Sequence, residues 1–502
     1  MRQEERRPQA PAGATGKATE PSTDLPRSAS LVVSIIATLF PAGADLELVI
    51  KSAPLEPIET IGAIRILDKK GMLVQEEHQN QKIRLHPKYV AEFRVPKADE
   101  DLERTIPVAI EVMRERLATG YRHIYALGHP ELTREILDDL TNVVAMLRLA
   151  VKKNIAVNVY DLTVQVALYA RAAGSVQETV LEWMGEAIVY FAQSRKKELQ
   201  ARVTLELGHL LRGIPDLEAA ETCYQAAYKL SVQLGDGELA AIAALRLADV
   251  LRMRARYGNA MAACKLSKAQ METLPSAPRL LQADLLETVG DVERSSGLQD
   301  EAILKYENAK EIYSNLERGL VGKVNILHSI GDILVSRGNH LEALQNYRLS
   351  LATSELIGDY QGRWNAELGL ANVQRLEKEY ARADAGVEAV MKAYLALGDQ
   401  LGYGNALLLK CRIAYDTGGR GLALDYGQKS KEAFDRVGCR LNSAIADVEI
   451  SKIKNTESDS ALVKEQVQSF ALWIGRGVSL AEIQRWPLEK KGSILLTTEI
   501  DG

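Results

Sequence analysis

Apolar and small positions recur along this chain with helical spacing, and the whole arrangement repeats about every 40 residues from roughly 157 to 434. Aligned on a small residue in the middle of each first helix, the series reads Gly208, Ala248, Gly290, Gly331, Ala371 and Cys411, in steps of 40, 42, 41, 40 and 40. Around each anchor an apolar residue usually follows three on, a small or turn residue seven on, and often a ring nine on. A small residue usually follows twelve on and often an aromatic sixteen on. One unit supplies Gly290, Glu293, Gly297, Gln299, Ala302, Tyr306 and Ala309; the next supplies Gly331, Leu334, Gly338, His340, Ala343, Tyr347 and Ser350. This predicts two helices per unit joined by a tight turn, packed closely on small side chains. Gly235-Asp236, Gly358-Asp359 and Gly398-Asp399 punctuate the hairpins. There glycine takes the left-handed helix end and aspartate starts the next helix.

The period and template are those of the tetratricopeptide (TPR) repeat. The expected fold is therefore mainly all-α, a TPR-like α-solenoid of about 40-residue hairpins over 157–434, opening with a looser repeat at Ala167, Ala170, Gly174, Thr179 and Trp183. Before the array, residues 1–29 hold four prolines among small polar residues and read as a disordered leader. Residues 30–95 read as three short helices (Ser30–Leu39, Asp45–Ser52, Glu56–Lys70) and two strands (Leu73–Gln75, Lys82–Leu85). That is the winged-helix order, so a small winged-helix domain precedes the solenoid. Residues 96–156 return to helix, with Pro107 and Pro130 expected at helix starts. After Phe434, helices Leu441–Ile453 and Ser460–Trp473 and a short segment from Ser479 read as a cap over 435–490, with 491–502 as a tail.

Bulk composition narrows the classes without naming one. The 502 residues are 46% hydrophobic, but with only five Phe and four Trp the interior must be built on Ala and Leu. A net charge of -5 gives no global pull toward nucleic acid or anionic membrane. Four cysteines are too few for a disulfide framework, and Cys223, Cys264 and Cys411 fall on repeat positions as reduced packing residues. No apolar run approaches the roughly 18 residues of a membrane span, and the N-terminus lacks a secretory pattern. A soluble cytoplasmic protein is expected.

In a TPR hairpin the first helix lines the concave side, so the outward positions lie six and three before the anchor and one and four after it. One after the anchor come His209, Asp249, Asp291, Asp332, Asn372 and Arg412; four after come Arg212, Arg252, Arg294, Val335, Arg375 and Tyr415. Six before, the last three repeats give Asn325, Asn365 and Asn405, and His328 lies three before Gly331. The candidate partner-binding groove is thus Asn325, Asn365, Asn405, Arg212, Arg252, Arg294, Arg375, Asp291, Asp332, His328 and Tyr415. Asparagine carries donor and acceptor together, which suits holding an extended peptide backbone. The competing reading is a solvated face, since Asp249–Arg252 and Asp291–Arg294 lie three apart on one helix, the spacing of a surface ion pair. Catalytic constellations are missing from the sequence: it has no Cys-x-x-Cys, His-Glu-x-x-His or Gly-x-Ser-x-Gly, and His123 and His129 lack metal-pair spacing. Gly16-Lys17 has neither the glycine nor the Ser/Thr of a phosphate loop. No enzyme, cofactor or metal is expected.

Residues 30 to about 434 resemble the C-terminal arm of STAND-class, NB-ARC-type signal-transduction NTPases. The carrying strings are Leu31–Pro41 with Asp45-Leu46, Leu67–Leu73, Ile83–Pro87 and Leu137–Ala150, in which Thr141 replaces the usual Asp before Asn142. The resemblance implies a winged helix followed by a TPR sensor that restrains a nucleotide switch. The nucleotide module itself is not found, so the ATP chemistry does not carry over, and His86, matching a nucleotide-contacting histidine, has nothing to contact. The implied function is a non-enzymatic interaction or sensor module in signalling or regulation. Its partner would be a protein or peptide, with a separate nucleotide-binding STAND-type chain as one candidate. DNA binding through the winged helix is the alternative. From Leu31 to Val95 eight basic residues face eight acidic ones, a poor start for phosphate contact, and only Arg65, Lys69 and Lys70 on the third helix favour it.

Overall fold

A computed structural model describes residues 25–454 apart from 76–81, most of 88–99, 128–129, 156–157, 173–177, 214–215 and positions 317, 398 and 438. Most of the expected leader, the 460–473 helix, the Ser479 segment, the tail and His129 lie outside the described residues. The chain divides into two compact units, 1–112 and 113–502.

In the first unit α1 (Arg27–Leu39) starts inside the stretch read as leader and buries Leu31, Val32, Val33, Ile35, Ile36 and Leu39. Helix α2 (Leu46–Ser52) is capped by Asp45, whose side chain accepts from the Leu48 amide at 2.7 Å. Helix α3 (Pro57–Lys69) has proline in its first turn, where no amide hydrogen is needed. Strands β1 (Leu73–Gln75) and β2 (Ile83–Leu85) pair antiparallel with Leu73 opposite Leu85. Ala44 adds a bridge to Ile83, exchanging both backbone hydrogen bonds at 3.1 and 2.7 Å. The α–α–α–β–β order is as expected; the Ala44 bridge is too short for a periodicity of two to register.

Helix α4 (Glu100–Leu127) corrects one expectation, because Pro107 lies inside it rather than at its start. The upstream residues Glu100 to Ile106 are mostly good helix formers and extend the helix past a proline that removes one internal hydrogen bond. Helix α5 (Pro130–Lys153) does begin on its proline. In the second unit Arg116 Nε donates to Asp139 at 2.7 Å, joining α4 to α5.

Seven helical hairpins follow: α6 (Val159–Ala172) with α7 (Glu178–Gln193), α8 (Lys197–Gly213) with α9 (Leu217–Leu234), α10 (Gly237–Met253) with α11 (Tyr257–Glu272), and α12 (Arg279–Ser296) with α13 (Gln299–Ser314). The last three are α14 (Leu320–Ser336) with α15 (His340–Ile357), α16 (Tyr360–Leu376) with α17 (Tyr380–Leu397), and α18 (Gln400–Asp416) with α19 (Arg420–Arg436). Helix α20 (Arg440–Lys454) stacks on the last of them. The looser first hairpin is joined internally by Trp183, whose Nε1 donates to Thr163 at 3.1 Å. Asp236, Asp359 and Asp399 each accept a backbone amide three residues on, at 2.9–3.0 Å, so the aspartates do start the helices after them.

The repeat template has a packing cause. A Cβ placed on Gly290 would meet the Tyr306 ring at 2.7 Å, and Gly208 with Tyr224 and Gly331 with Tyr347 repeat the geometry at 2.6 Å. Each ring belongs to the residue sixteen past its anchor. Where the anchor is larger the residue sixteen on is smaller than a ring: Ala248 shares a buried cluster with Cys264 and Ala371 one with Val387, and Cys411 lies 3.3 Å from the position a Cβ on Gly427 would take. Close packing at this crossing leaves no room for both a larger anchor and a full ring. Ala302, Ala309 and Ala343 are fully buried at the other crossings. The described protein is mainly α-helical, and its repeat region is a TPR-like α-solenoid.

Candidate functional site

The first helices of the hairpins, with α20, line a cavity of about 1110 Å³ in the second unit. It is walled by Arg212, Asp249, Arg252 and Arg294 on the α8–α12 side and by Asn365, Asn372, Asn405 and Asn442 on the α16–α20 side. His328, Asp332, Arg375 and Tyr415 also line it. All the sequence-derived groove candidates therefore reach this cavity except Asn325 and Asp291.

The arginines are not free cations. Arg212 pairs with Asp249 of the next hairpin, and Asp249 also accepts from Arg252 at 2.7 Å. Arg294 lies 3.6 Å from Asp332 of the next hairpin and 3.8 Å from Asp291 of its own helix. Arg375 pairs with Asp416, and Arg412 donates to Glu449 at 2.7 Å. Arg212, Arg294 and Arg375, each four past an anchor, thus meet a carboxylate on the following hairpin, and Arg412, one past its anchor, meets one on α20, a ladder that stitches successive units together. The three-apart pairs expected from sequence exist, but the pairs between hairpins add the stitching. Burial acts to raise the Asp249 carboxyl, yet Arg252 and Arg212 outweigh it and hold the group well below the carboxylate range.

A second set of bonds fixes the ladder from behind. The hydroxyls of Tyr306 and Tyr347 donate to Asp291 and Asp332 at 2.7 Å, and Tyr224 lies 3.0 Å from His209 Nδ1. In each case the ring sixteen past the anchor reaches the residue one past it, so anchor glycine, ring and groove residue form one unit. Burial, with Arg246, Arg171 and Arg212 nearby, lowers His209 to about 2, so it is a neutral imidazole.

The asparagines divide. Asn365 Oδ1 accepts from Tyr394 at 2.6 Å, and Asn405 Oδ1 accepts from Asn442 at 2.9 Å. Asn325 is exposed, is not part of the cavity wall, and bonds to Glu287. The ladder is therefore two asparagines long at the cavity, and Asn372, Asn442, Gln361 and Gln400 extend it into a wall of amides. Asn442 lies beyond the last repeat, where the 40-residue template could not point to it.

Beside Asn325, the Tyr313 hydroxyl lies 2.6 Å from both Asp284 Oδ1 and Glu287 Oε2. A phenol has one proton to donate, so two such contacts require a second proton on a carboxyl. Burial first, then the charges of Asp291 and Asp284, raise Glu287 to about 8, which identifies it as the protonated partner. Among the described residues no group of three or more His, Cys, Asp or Glu side chains could hold a metal ion. Cys264, Cys411 and Cys439 are buried free thiols, and burial pushes Cys264 and Cys411 up to about 12. No described helix is long and apolar enough to cross a membrane.

No family model and no functionally curated protein matches the chain. Among solved structures it is similar to a STAND protein with a tetratricopeptide repeat sensor from Pyrococcus horikoshii, at 15% identity and a TM-score of 0.43, over 89% of this chain and 63% of that one. It is also similar to a Rap protein complexed with competence and sporulation factor, at 13% identity and a TM-score of 0.43, over 68% of this chain and 98% of that one. A third is aspartyl phosphate phosphatase F from Bacillus subtilis, at 10% identity and a TM-score of 0.36, over 63% and 87%. The chain thus spans less than two thirds of the length of the archaeal STAND protein.

Proposed function

We propose that the solenoid is a non-enzymatic interaction and sensor module in signalling or regulation, and that its cavity holds an extended segment of a protein or peptide partner. The observation that carries this reading is the amide wall. With its oxygen taken by Asn442, Asn405 keeps its amide nitrogen for a ligand, and Gln400 Oε1 is buried without a partner. Peptide backbone offers the matching donors and acceptors, and a cavity of about 1110 Å³ is of the size that takes a ligand-like segment rather than a folded domain. The arginine ladder, already matched by carboxylates, gives rigidity more than charge recognition. A separate nucleotide-binding STAND-type chain is a candidate source of the segment.

The test is selection from a displayed random peptide library, followed by calorimetry on the enriched peptides. Asn365→Ala with Asn405→Ala should weaken binding at least tenfold, and adding Asn325→Ala should change it little further. A library that yields no binder, or a double variant with unaltered affinity, rejects the reading. The runner-up is DNA binding by the α1–β2 unit read as a winged helix. It rests on exposed Arg65 and Lys69 of α3 and Lys70 just after it, beside which Glu59 and Asp68 are equally exposed. A salt-dependent gel shift on random duplex would favour it.

A further inference from the structure

In a solenoid each repeat touches its neighbours, and contacts between distant repeats need a separate cause. Here two side chains make such a contact. Leu401 of α18 and Val448 of α20 pack against an apolar cluster built mainly by α8–α11, with Val292 of α12, which includes Leu247, Leu251, Met253 and Tyr257. Helices α13–α17 separate the two sides along the chain. Polar groups follow the same path: Cys439, just before α20, lies within electrostatic reach of Arg252 and Asp249 of α10, and Asp399 within reach of Arg212 of α8. Met253, Leu401, Val437 and Cys439 all line the cavity, so the contact lies on its wall.

The contact is slight beside the stacking of successive hairpins. Leu401 and Val448 are only partly buried, whereas within the hairpins whole helix faces of alanine, leucine and tyrosine are lost to solvent. The cost of bringing distant chain segments together is entropic and is offset here by two aliphatic side chains. Each repeat junction needs to turn only slightly for the two walls to part, because small rotations add along the array.

We propose that Leu401 and Val448 form a clasp, a closure independent of repeat stacking that shuts the cavity between α8–α11 and α18–α20 and releases as a unit. Closed, it encloses the amide wall and the arginine ladder together. Open, it exposes both to an entering chain while each hairpin stays folded. This stands on the packing across the cavity and does not depend on what the cavity binds.

The clasp is tested by thiol labelling of the full chain, read site by site by mass spectrometry, with small-angle scattering alongside. Val448→Glu should raise the labelling rate of Cys439 at least tenfold and increase the radius of gyration; Leu401→Glu, whose side chain also packs on the cluster that holds Cys439, should increase the radius likewise. Cys264 and Cys411, buried within hairpins, should stay as slow as in the unmodified chain. Leu401→Met should behave as wild type. Unchanged Cys439 labelling in Val448→Glu, with an unchanged radius in both glutamate variants, overturns the clasp. So does labelling of Cys264 and Cys411 at the pace of Cys439, which would make the contact part of the fold itself.

Discussion

Ala255 and Lys378 hold the left-handed turn between helices, with φ of 56° and 66°, at the place where three other hairpins have Gly297, Gly338 and Gly418. A side chain with a Cβ costs about 1–2 kcal/mol there, against which glycine loses more freedom on folding. The balance favours glycine, so Ala255→Gly should stabilise the protein by up to about 1 kcal/mol. An upward shift of the denaturation midpoint at unchanged slope would bear this out; a downward shift would show that the turn is held by its neighbours. The same position illustrates what a single sequence discloses. The turn was legible because glycine recurs seven past the anchor, and the two exceptions kept the geometry while hiding the signal.

Between elements the sequence was less informative, for a reason of distance. Hairpins and aspartate caps rest on residues a few places apart and could be read directly. Arg212 with Asp249, Arg294 with Asp332 and Arg412 with Glu449 join residues 37 or 38 apart, a relation no local pattern encodes. Asn325 shares the spacing of Asn365 and Asn405 but was spent on Glu287, because an acidic neighbour three before its own repeat's predecessor anchor competes for it. Helix α4 ran through Pro107 because flanking helix formers outweighed one missing hydrogen bond. The proton shared among α12 and α13 gives a further prediction. Glu287 is raised from 4.5 to about 8, so the folded protein keeps a proton that the unfolded chain releases as pH rises between those values. Stability from this group is complete below about pH 4.5 and declines through about pH 8. Glu287→Gln, which keeps a donor for Tyr313 and removes the titration, should therefore melt higher than wild type by a margin that widens from pH 5 to pH 8. A margin independent of pH would place the second proton elsewhere.

At the scale of the molecule, stability is approximately a sum over repeats and their junctions. Ala302 is fully buried near the middle of the array, so Ala302→Arg should overpack by roughly 1–3 kcal/mol and bury an unpaired charge besides. Its thermal transition should broaden or split, with loss of protection from hydrogen exchange centred on α12–α15 and sparing α8–α9. An unchanged melt would mean that the hairpins are registered differently. The pairing of each anchor with the residue sixteen beyond it carries a last consequence, for how such an array can change over generations. Both members lie inside one hairpin, so a whole hairpin can be duplicated or deleted without breaking a single pair. A point change at either member is costly alone and tolerable only with its compensating partner. Arrays of this kind should therefore alter in length more readily than in the identity of their anchors.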